Sequence, residues 1–331
     1  MIKYPPIKIN LGLNVLRKRE DGFHDLETLF LESGRFHDTL EIVTGDDYSR
    51  TMASLAARYG DRGGICDGDI PALAQGISEN GKLMITVARA EGVDWDVRKD
   101  LCAKAYALLD NDFKLPPAKI FLEKNSPVGA GLGGGSADAA YTLTMLNDIC
   151  SLGLSTEQLA GYAARLGSDC AFFIFGRPMF GEGRGEVLTP FELAVDIVDA
   201  GGAACPIDGT GSSGSGNDSS GTGTARPCTR EHPEKGRPQY ELQIVIPEGI
   251  SVSTAEAYRG ITPAIPEMRL KDVLARPVSE WKDLLVNDFE ATVFKAHPEL
   301  AAIKQSLYDS GAIYASMSGS GSALFALYER R

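Results

Sequence analysis

The chain has no apolar run of about 18 residues, so no membrane-spanning helix is expected. Its first residues, MIKYPPIKINLGLNV, lack the charged, then apolar, then small-residue succession of a secretory leader, and none is expected. There is no CxxC pair. The six cysteines (Cys66, Cys102, Cys150, Cys170, Cys205 and Cys228) stand far apart, which in a chain of this size reads as reduced cytosolic thiols rather than a disulfide framework. Cys228 and His232 are spaced as metal ligands can be, but they sit beside a low-complexity run and are not read as a metal site. Positive charge is scarce: 33 Lys and Arg face 45 Asp and Glu, a formal net charge of -12. That balance argues against nucleic acid or an anionic membrane as partner. A phosphate ligand would have to be held by a local device.

What is present suits a cytoplasmic enzyme. With 331 residues, 43% hydrophobic and 24% charged, the chain can bury a large core, and its length favours two domains. IKINLGLNVL (7–16) alternates as a strand, and DTLEIVTG reads as the next, with DGFHDLETLFLES between them carrying turn residues. The Gly- and Asp-rich stretch from Gly60 to Gly81 reads as an insertion or long loop. KDLCAKAYALLDND (99–112) has helical spacing, AKIFLEKNSP (118–127) is a strand, and helices are expected from Ser136 and over 155–167, the latter opened by a Ser or Thr cap. ELAVDIVDAG and YELQIVIPEG read as strands flanking GTGSSGSGNDSSGTGT (209–224), which cannot bury apolar surface and is expected to be a flexible loop. The chain then turns helix-rich from Leu270 to Asp309. It closes on AIYASMSGSGSALFALYE, a strand, a Gly/Ser turn and another strand or helix.

The densest signal is PVGAGLGGGSADAA (127–140), five glycines running straight into small helix formers. Gly129 to Gly134 matches GxGxxG, which is weak alone. A dinucleotide fold wants that motif at the first strand-to-helix turn with an acidic residue about 20 positions on, after a second strand. Here it lies mid-chain, and Glu157 opens a helix instead. A P-loop needs Gly-Lys-Ser/Thr, and the glycines are followed by Ser136-Ala137-Asp138. What remains is a glycine loop that brings backbone N–H groups and a helix N-terminus onto an anion.

SPVGAGLGGGSADAA resembles the phosphate-binding motif of the GHMP kinases, which include galactokinase, homoserine kinase and the mevalonate and phosphomevalonate kinases. KINLGLNVLRKREDGFHDLETLF (8–30) resembles the family's first motif and MSGSGSALFAL (317–327) its third. The Lys8-Ile9-Asn10 opening, Gly22-Phe23-His24, the triple glycine before Ser136 and Gly167-Ser168-Asp169 narrow the likeness to the branch whose substrate carries a cytidine diphosphate. Homoserine and mevalonate kinases resemble the glycine motif without that opening. The likeness covers nearly the whole chain except stretches near 50–82 and 203–238.

The resemblance implies an α+β, two-domain GHMP kinase fold with the ATP and substrate cleft between the domains. Residues 1–172 would form the ATP-binding half in a left-handed β-α-β setting. Residues 173–331 would form the C-terminal half, with the Gly/Ser-rich insertion at about 205–237. It implies ATP, with Mg²⁺ arriving alongside it, and a small-molecule alcohol; monomer and homodimer stay open. Asp169 would take the hydroxyl proton, with Lys8 as its partner. Asn10, alternate to Lys8 on a strand, shares its face. Phe23, His24 and Tyr258 would meet the cytosine, Phe23 by stacking and His24 by hydrogen bonding. Lys124, Pro127, Gly129, Ala130, Gly131, Leu132, Gly133, Gly134, Gly135 and Ser136 would hold ATP, and no residue is assigned to a metal. Asp100 stands where relatives commonly carry Asn near the adenine, and a carboxylate accepts without donating. A homoserine or mevalonate type of kinase, or a catalytically silent nucleotide-binding relative, are the alternatives.

Overall fold

The computed structural model describes residues 1–45, 55, 57–59, 72–200 and 237–330. The Gly/Ser-rich run 209–224, most of the stretch read as a first insertion, and Cys228 with His232 lie outside them. Among the described residues, helices and strands mix in an α+β arrangement of three sheets.

The first sheet contains β1 (Ile2–Lys3), β4 (Thr39–Thr44), β7 (Ala118–Lys124), β6 (Leu83–Arg89) and β5 (Leu73–Ile77), in that order. β6 and β7 run parallel, and the chain crosses between them through helix α1 (Leu101–Phe113). Asp100 starts α1 by accepting a hydrogen bond from Cys102 N (2.9 Å), a side-chain cap that satisfies one of the orphan donors at the helix start. One face of α1 buries Ala105, Tyr106 and Leu109 against Ile85, Val87, Ile120 and Leu122 of the sheet. Leu143 and Leu146 of helix α2 (Gly134–Ile149) close the same core. Helix α3 (Thr156–Ala164) is opened by Ser155 in a reciprocal capping box with Gln158.

β5 corrects the expectation of an unstructured stretch up to Gly81: residues 73–77 pair antiparallel with β6 at the sheet edge. Its neighbours are rich in Gly and Asp, which hides five residues of strand. A second correction concerns DGFHDLETLFLES: Asp21 to Phe23 form a turn, as read, but from His24 on the residues belong to a long strand, β3 (His24–His37), paired with β2 (Pro6–Lys18). From Leu26 to Leu31 every residue of β3 is buried, so the period-2 alternation of a half-buried strand is absent. β8 (Met179–Glu182) and β9 (Val187–Pro190) complete this antiparallel sheet, β2-β3-β8-β9. Helix α4 (Cys170–Phe175) leads into β8.

The third sheet has the order β10 (Asp196–Asp199), β11 (Gln239–Val245), β13 (Leu324–Glu329), β12 (Tyr314–Met317). The final segment is a strand, not a helix. Five short helices precede β12: α5 (Thr254–Tyr258), α6 (Leu270–Leu274), α7 (Val278–Leu284), α8 (Phe289–Ala296) and α9 (Pro298–Asp309). Trp281 and Leu285 pack with Tyr314 and Phe325 of the sheet and with Ile9 and Leu11 of β2. One continuous core thus ties β2 to the C-terminal sheet.

Candidate active site

The glycine loop follows β7 and is held from two sides. Gly129, Gly131 and Gly133 have φ of 73°, 77° and 72°. Ala130 and Leu132 alternate with them and are buried in the core behind. β2 hooks the loop through Lys8 N–H, which donates to Leu132 O (2.9 Å). The Ser318–Ala323 turn backs it: Ala323 N donates to Ala130 O (3.1 Å) and Ser318 Oγ to Gly131 O (3.2 Å). That turn is itself fixed by Asn287 Nδ2, which donates to Met317 O (2.8 Å) and Gly319 O (2.9 Å). The three motifs singled out in sequence therefore form one joint. Left-handed Gly133 leads directly into α2, which begins at Gly134, two residues before the expected Ser136.

Lys8 and Asn10 lie on the same face of β2, as their spacing requires. Lys8 Nζ donates to Asn10 Oδ1 (2.5 Å), and Asn10 Nδ2 donates in turn to Thr28 Oγ1 (3.0 Å). The Asp169 carboxylate is 3.4 Å from Lys8 Nζ. Asp169 directly precedes α4 and makes no side-chain capping bond there. Its side chain is one-third exposed while that of Lys8 is 4% exposed, so the pair sits with the lysine below and the carboxylate at the cleft surface. Tyr258 stands near: burial pushes its phenol up, and the charge of Asp169 adds to the shift.

Every residue predicted for the site lines a single cleft of about 1170 Å³. Pockets for one drug-sized ligand commonly have about 300–1,000 Å³, and this cleft lies just above that range. At one end are Phe23, His24 and Tyr258. His24 stacks on Tyr258 with ring centroids 4.8 Å apart and 20° between planes. Phe23 is instead more than half exposed beneath the guanidinium of Arg184, 4.9 Å from its centroid. The ring resting on Tyr258 is thus His24, and Phe23 stands apart from that stack. At the other end Asp100 accepts from Trp95 Nε1 (3.3 Å) as well as from Cys102 N, so both its oxygens are engaged. Lys124 is also engaged: its ammonium is shared by Asp38 and Asp138.

Trp95, Lys99, Asp138, Arg184 and Ser251 line the cleft without having been picked out in sequence. Arg184 lies in the turn between β8 and β9, where GEGRGE carries a turn signal but nothing that ties it to Phe23 across the fold. Among the described residues, no three His, Cys, Asp or Glu gather as metal ligands would. Nor, among them, is any helix long and apolar enough to cross a membrane.

A cleft walled by a glycine loop, a lysine–carboxylate pair and the Ser318–Ala323 turn is the arrangement of a GHMP kinase, and two family matches agree. Residues 100–177 match the GHMP kinases N terminal domain, and residues 270–331 match the GHMP kinases C terminal domain. A 4-diphosphocytidyl-2-C-methyl-D-erythritol kinase of Bacteroides fragilis is 38% identical over 328 residues, covering 99% of this chain and 92% of the relative. The protein of that name from Parabacteroides distasonis is 36% identical, covering 100% and 92%. A crystal structure of 4-(cytidine 5'-diphospho)-2C-methyl-D-erythritol kinase superposes with a TM-score of 0.63 at 26% identity, over 99% of this chain and 90% of that one. The chain belongs to the 4-diphosphocytidyl-2-C-methyl-D-erythritol kinase family. A mevalonate kinase structure, at TM-score 0.54 and 11% identity over 99% and 91%, shares the fold alone.

Proposed function

We propose that the protein transfers the γ-phosphoryl group of ATP to the 2-hydroxyl of 4-diphosphocytidyl-2-C-methyl-D-erythritol (CDP-methylerythritol), a step of the non-mevalonate isoprenoid pathway, in the cytoplasm. The observation that carries this reading is the Lys8–Asp169 pair at 3.4 Å in the same cleft as the glycine loop and the aromatic end. Asp169 accepts the hydroxyl proton as the oxygen attacks phosphorus in line, and the bond to the β–γ bridging oxygen breaks to release ADP. Lys8, oriented by Asn10, pairs with the carboxylate and stabilises the incoming oxygen. The loop from Pro127 to Ser136 and the start of α2 meet the phosphates with backbone N–H groups and the helix dipole. In this reading residues 1–172 build the nucleotide half, and residues 173–331 supply much of the opposite wall.

Magnesium keeps several waters and phosphate oxygens, and so takes only one or two oxygens from protein. Ser136, at the start of α2, is such a donor beside the loop, and a single protein oxygen suits an ion that arrives with ATP. Bound there, it would neutralise charge on the phosphates. The cytosine enters beside Tyr258, with His24 swinging from its stack to hydrogen-bond the base and Phe23 closing the other face.

The test is ADP release from MgATP with CDP-methylerythritol, homoserine and mevalonate. Turnover of CDP-methylerythritol alone is expected; preference for either of the others would overturn the reading. Release with none of them would favour a silent nucleotide-binding relative, which the presence of both Lys8 and Asp169 argues against.

A further inference from the structure

Beneath the Lys8–Asp169 pair runs a chain of hydrogen bonds whose far end the reaction above does not use. Strand β2 carries one residue more than its partner: Leu11 pairs with Leu29 and Leu13 with Thr28, so Gly12 has no partner in the ladder. This is a β-bulge, which leaves one residue out of the pairing and bends the strand. Gly12 sits at φ 68°, and a Cβ there would lie 2.4 Å from Leu270 Cδ1 and 2.7 Å from Leu285 Cδ1, so the C-terminal half packs directly on the bulge. The Gly12 carbonyl accepts from Thr28 Oγ1 (2.6 Å). Thr28 Oγ1 accepts from Asn10 Nδ2 (3.0 Å), and Asn10 Oδ1 accepts from Lys8 Nζ (2.5 Å). Lys8, Asn10 and Thr28 are all buried. His24, Leu26, Thr28 and Phe30, alternate residues of β3, line the cleft. Thr28 thus lies along the strand between the aromatic end and Phe30, whose ring centroid is 5.6 Å from Lys8 Nζ.

Hydrogen-bond chemistry leaves this chain one direction. A backbone carbonyl only accepts, so the single hydrogen of the Thr28 hydroxyl is committed to Gly12 O. Toward Asn10 the hydroxyl can then only accept, which turns the amide nitrogen to Thr28 and the amide oxygen to Lys8. An ammonium only donates, so the other end asks for the same orientation. We infer that Thr28 is a positioning residue for the transfer: fixed by the bulge carbonyl, it locks the Asn10 amide and, through it, the Lys8 ammonium at the place where the attacking oxygen meets it. The stem of Lys8 is pinned separately, since a Cβ on Gly133 would lie 3.1 Å from Lys8 Cγ. The head is set by Asn10 from below and faces Asp169 at the cleft surface. Without the Thr28 hydroxyl, the Asn10 Nδ2 hydrogen and the Gly12 carbonyl each lose a buried partner, which is costly. The amide then turns toward another acceptor and releases the Lys8 head.

This rests on the kinase reading of Lys8 and Asp169. The experiment compares wild type, Thr28→Val and Thr28→Ser in steady-state kinetics, varying MgATP and CDP-methylerythritol in turn, at a temperature where melting curves show each protein folded. Valine keeps the branched shape and removes the hydroxyl; serine keeps the hydroxyl and removes a methyl group. Thr28→Val should lower kcat by about tenfold to a hundredfold, the worth of a hydrogen bond to a charged group, with KM for ATP within about threefold of wild type. Thr28→Ser should keep kcat within about threefold, although the lost methyl lowers its melting temperature. A residue that only supported the fold would behave otherwise: activity would follow melting temperature, and serine would not rescue it. A kcat of Thr28→Val within about threefold of wild type, a fall shared by Thr28→Ser, or a rise in KM for ATP as large as the fall in kcat would each overturn the inference. If Thr28→Val does not fold, Thr28→Cys, whose thiol is a weak donor and acceptor, takes its place under the same limits. A wild type that turns over CDP-methylerythritol no faster than Thr28→Val sinks only this inference, whereas a wild type without turnover sinks the kinase reading and this inference with it.

Discussion

The joint between the glycine loop and the Ser318–Ala323 turn can be broken with one methyl group. A Cβ built on Gly131 would lie 2.3 Å from Ser318 O and 3.0 Å from both N and O of Gly321. All three atoms are backbone, so no side chain can swing away. Relief to an ordinary contact of about 3.5 Å requires the loop and the turn to part by about 1 Å. The residue also sits at φ 77°, where a side chain costs about 1–2 kcal/mol. Parting the segments weakens the Ala323–Ala130 and Ser318–Gly131 hydrogen bonds, each worth about 1 kcal/mol. Together these place Gly131→Ala at about 3 kcal/mol of destabilisation, the upper end of ordinary single substitutions. Because Lys8 is hooked to the same loop, a shift of this size should also lower kcat/KM by about a hundredfold. Gly135→Ala is the control. It lies inside α2, a Cβ there would meet only Leu101 Cδ1 at 4.0 Å, and alanine is favoured over glycine in a helix by about 1 kcal/mol. Thermal melting of the two variants should therefore move in opposite directions. If Gly131→Ala melts with Gly135→Ala, the loop is not clamped as described.

Three further outcomes are expected. Asp169→Asn should lower kcat by about 10²- to 10⁴-fold, the range of a general base, while calorimetric MgATP affinity stays near wild type; a loss under about threefold would remove Asp169 from the chemistry. Tyr258→Ala should raise KM for CDP-methylerythritol far more than KM for ATP, because stacking on a base is worth about 1–3 kcal/mol; equal changes in both would misplace the base pocket. Cys170 is fully buried, and burial pushes its thiol up to about 11, so at pH 8 only about one molecule in a thousand carries the thiolate. Peptide mapping after iodoacetamide treatment should find it unmodified in the folded protein, and rapid labelling would refute the buried placement.

The parts of this protein that could be read in its sequence are those where backbone chemistry is local. The glycine run, the strand that carries Lys8 and Asn10, and the turn before Asp169 each depend on residues within about ten positions, and each lines the cleft. Strand β3 was hidden for the opposite reason: burial from Leu26 to Leu31 erases the alternation that marks a strand. β5 was hidden by composition, since Leu73–Ile77 is a short edge strand embedded among glycines and aspartates. Which aromatic ring rests on Tyr258 is set by the fold, 234 positions separating His24 from it, and no spacing rule distinguishes His24 from Phe23. The Asp38–Lys124–Asp138 cluster is the clearest case. Asp138 stands inside the stretch that first drew notice, yet its partner's partner, Asp38, is 86 residues from Lys124.

These placements also explain how a chain of net charge -12 can serve two polyphosphate ligands. Lys8 faces Asn10 and Asp169, and Lys124 faces Asp38 and Asp138, so each is compensated before any phosphate arrives. A compensated ammonium attracts an anion weakly at long range but offers a hydrogen at a fixed position, which is what in-line phosphoryl transfer needs. In the proposed reading the attraction itself is left to the start of α2, whose backbone N–H groups carry partial positive charge and whose N-cap Gly133 provides no side-chain cap. In that reading glycine is required there because the phosphates approach the main chain itself. The acidic surface and the anion site are therefore compatible: one is a property of the whole chain, the other of ten residues turned inward.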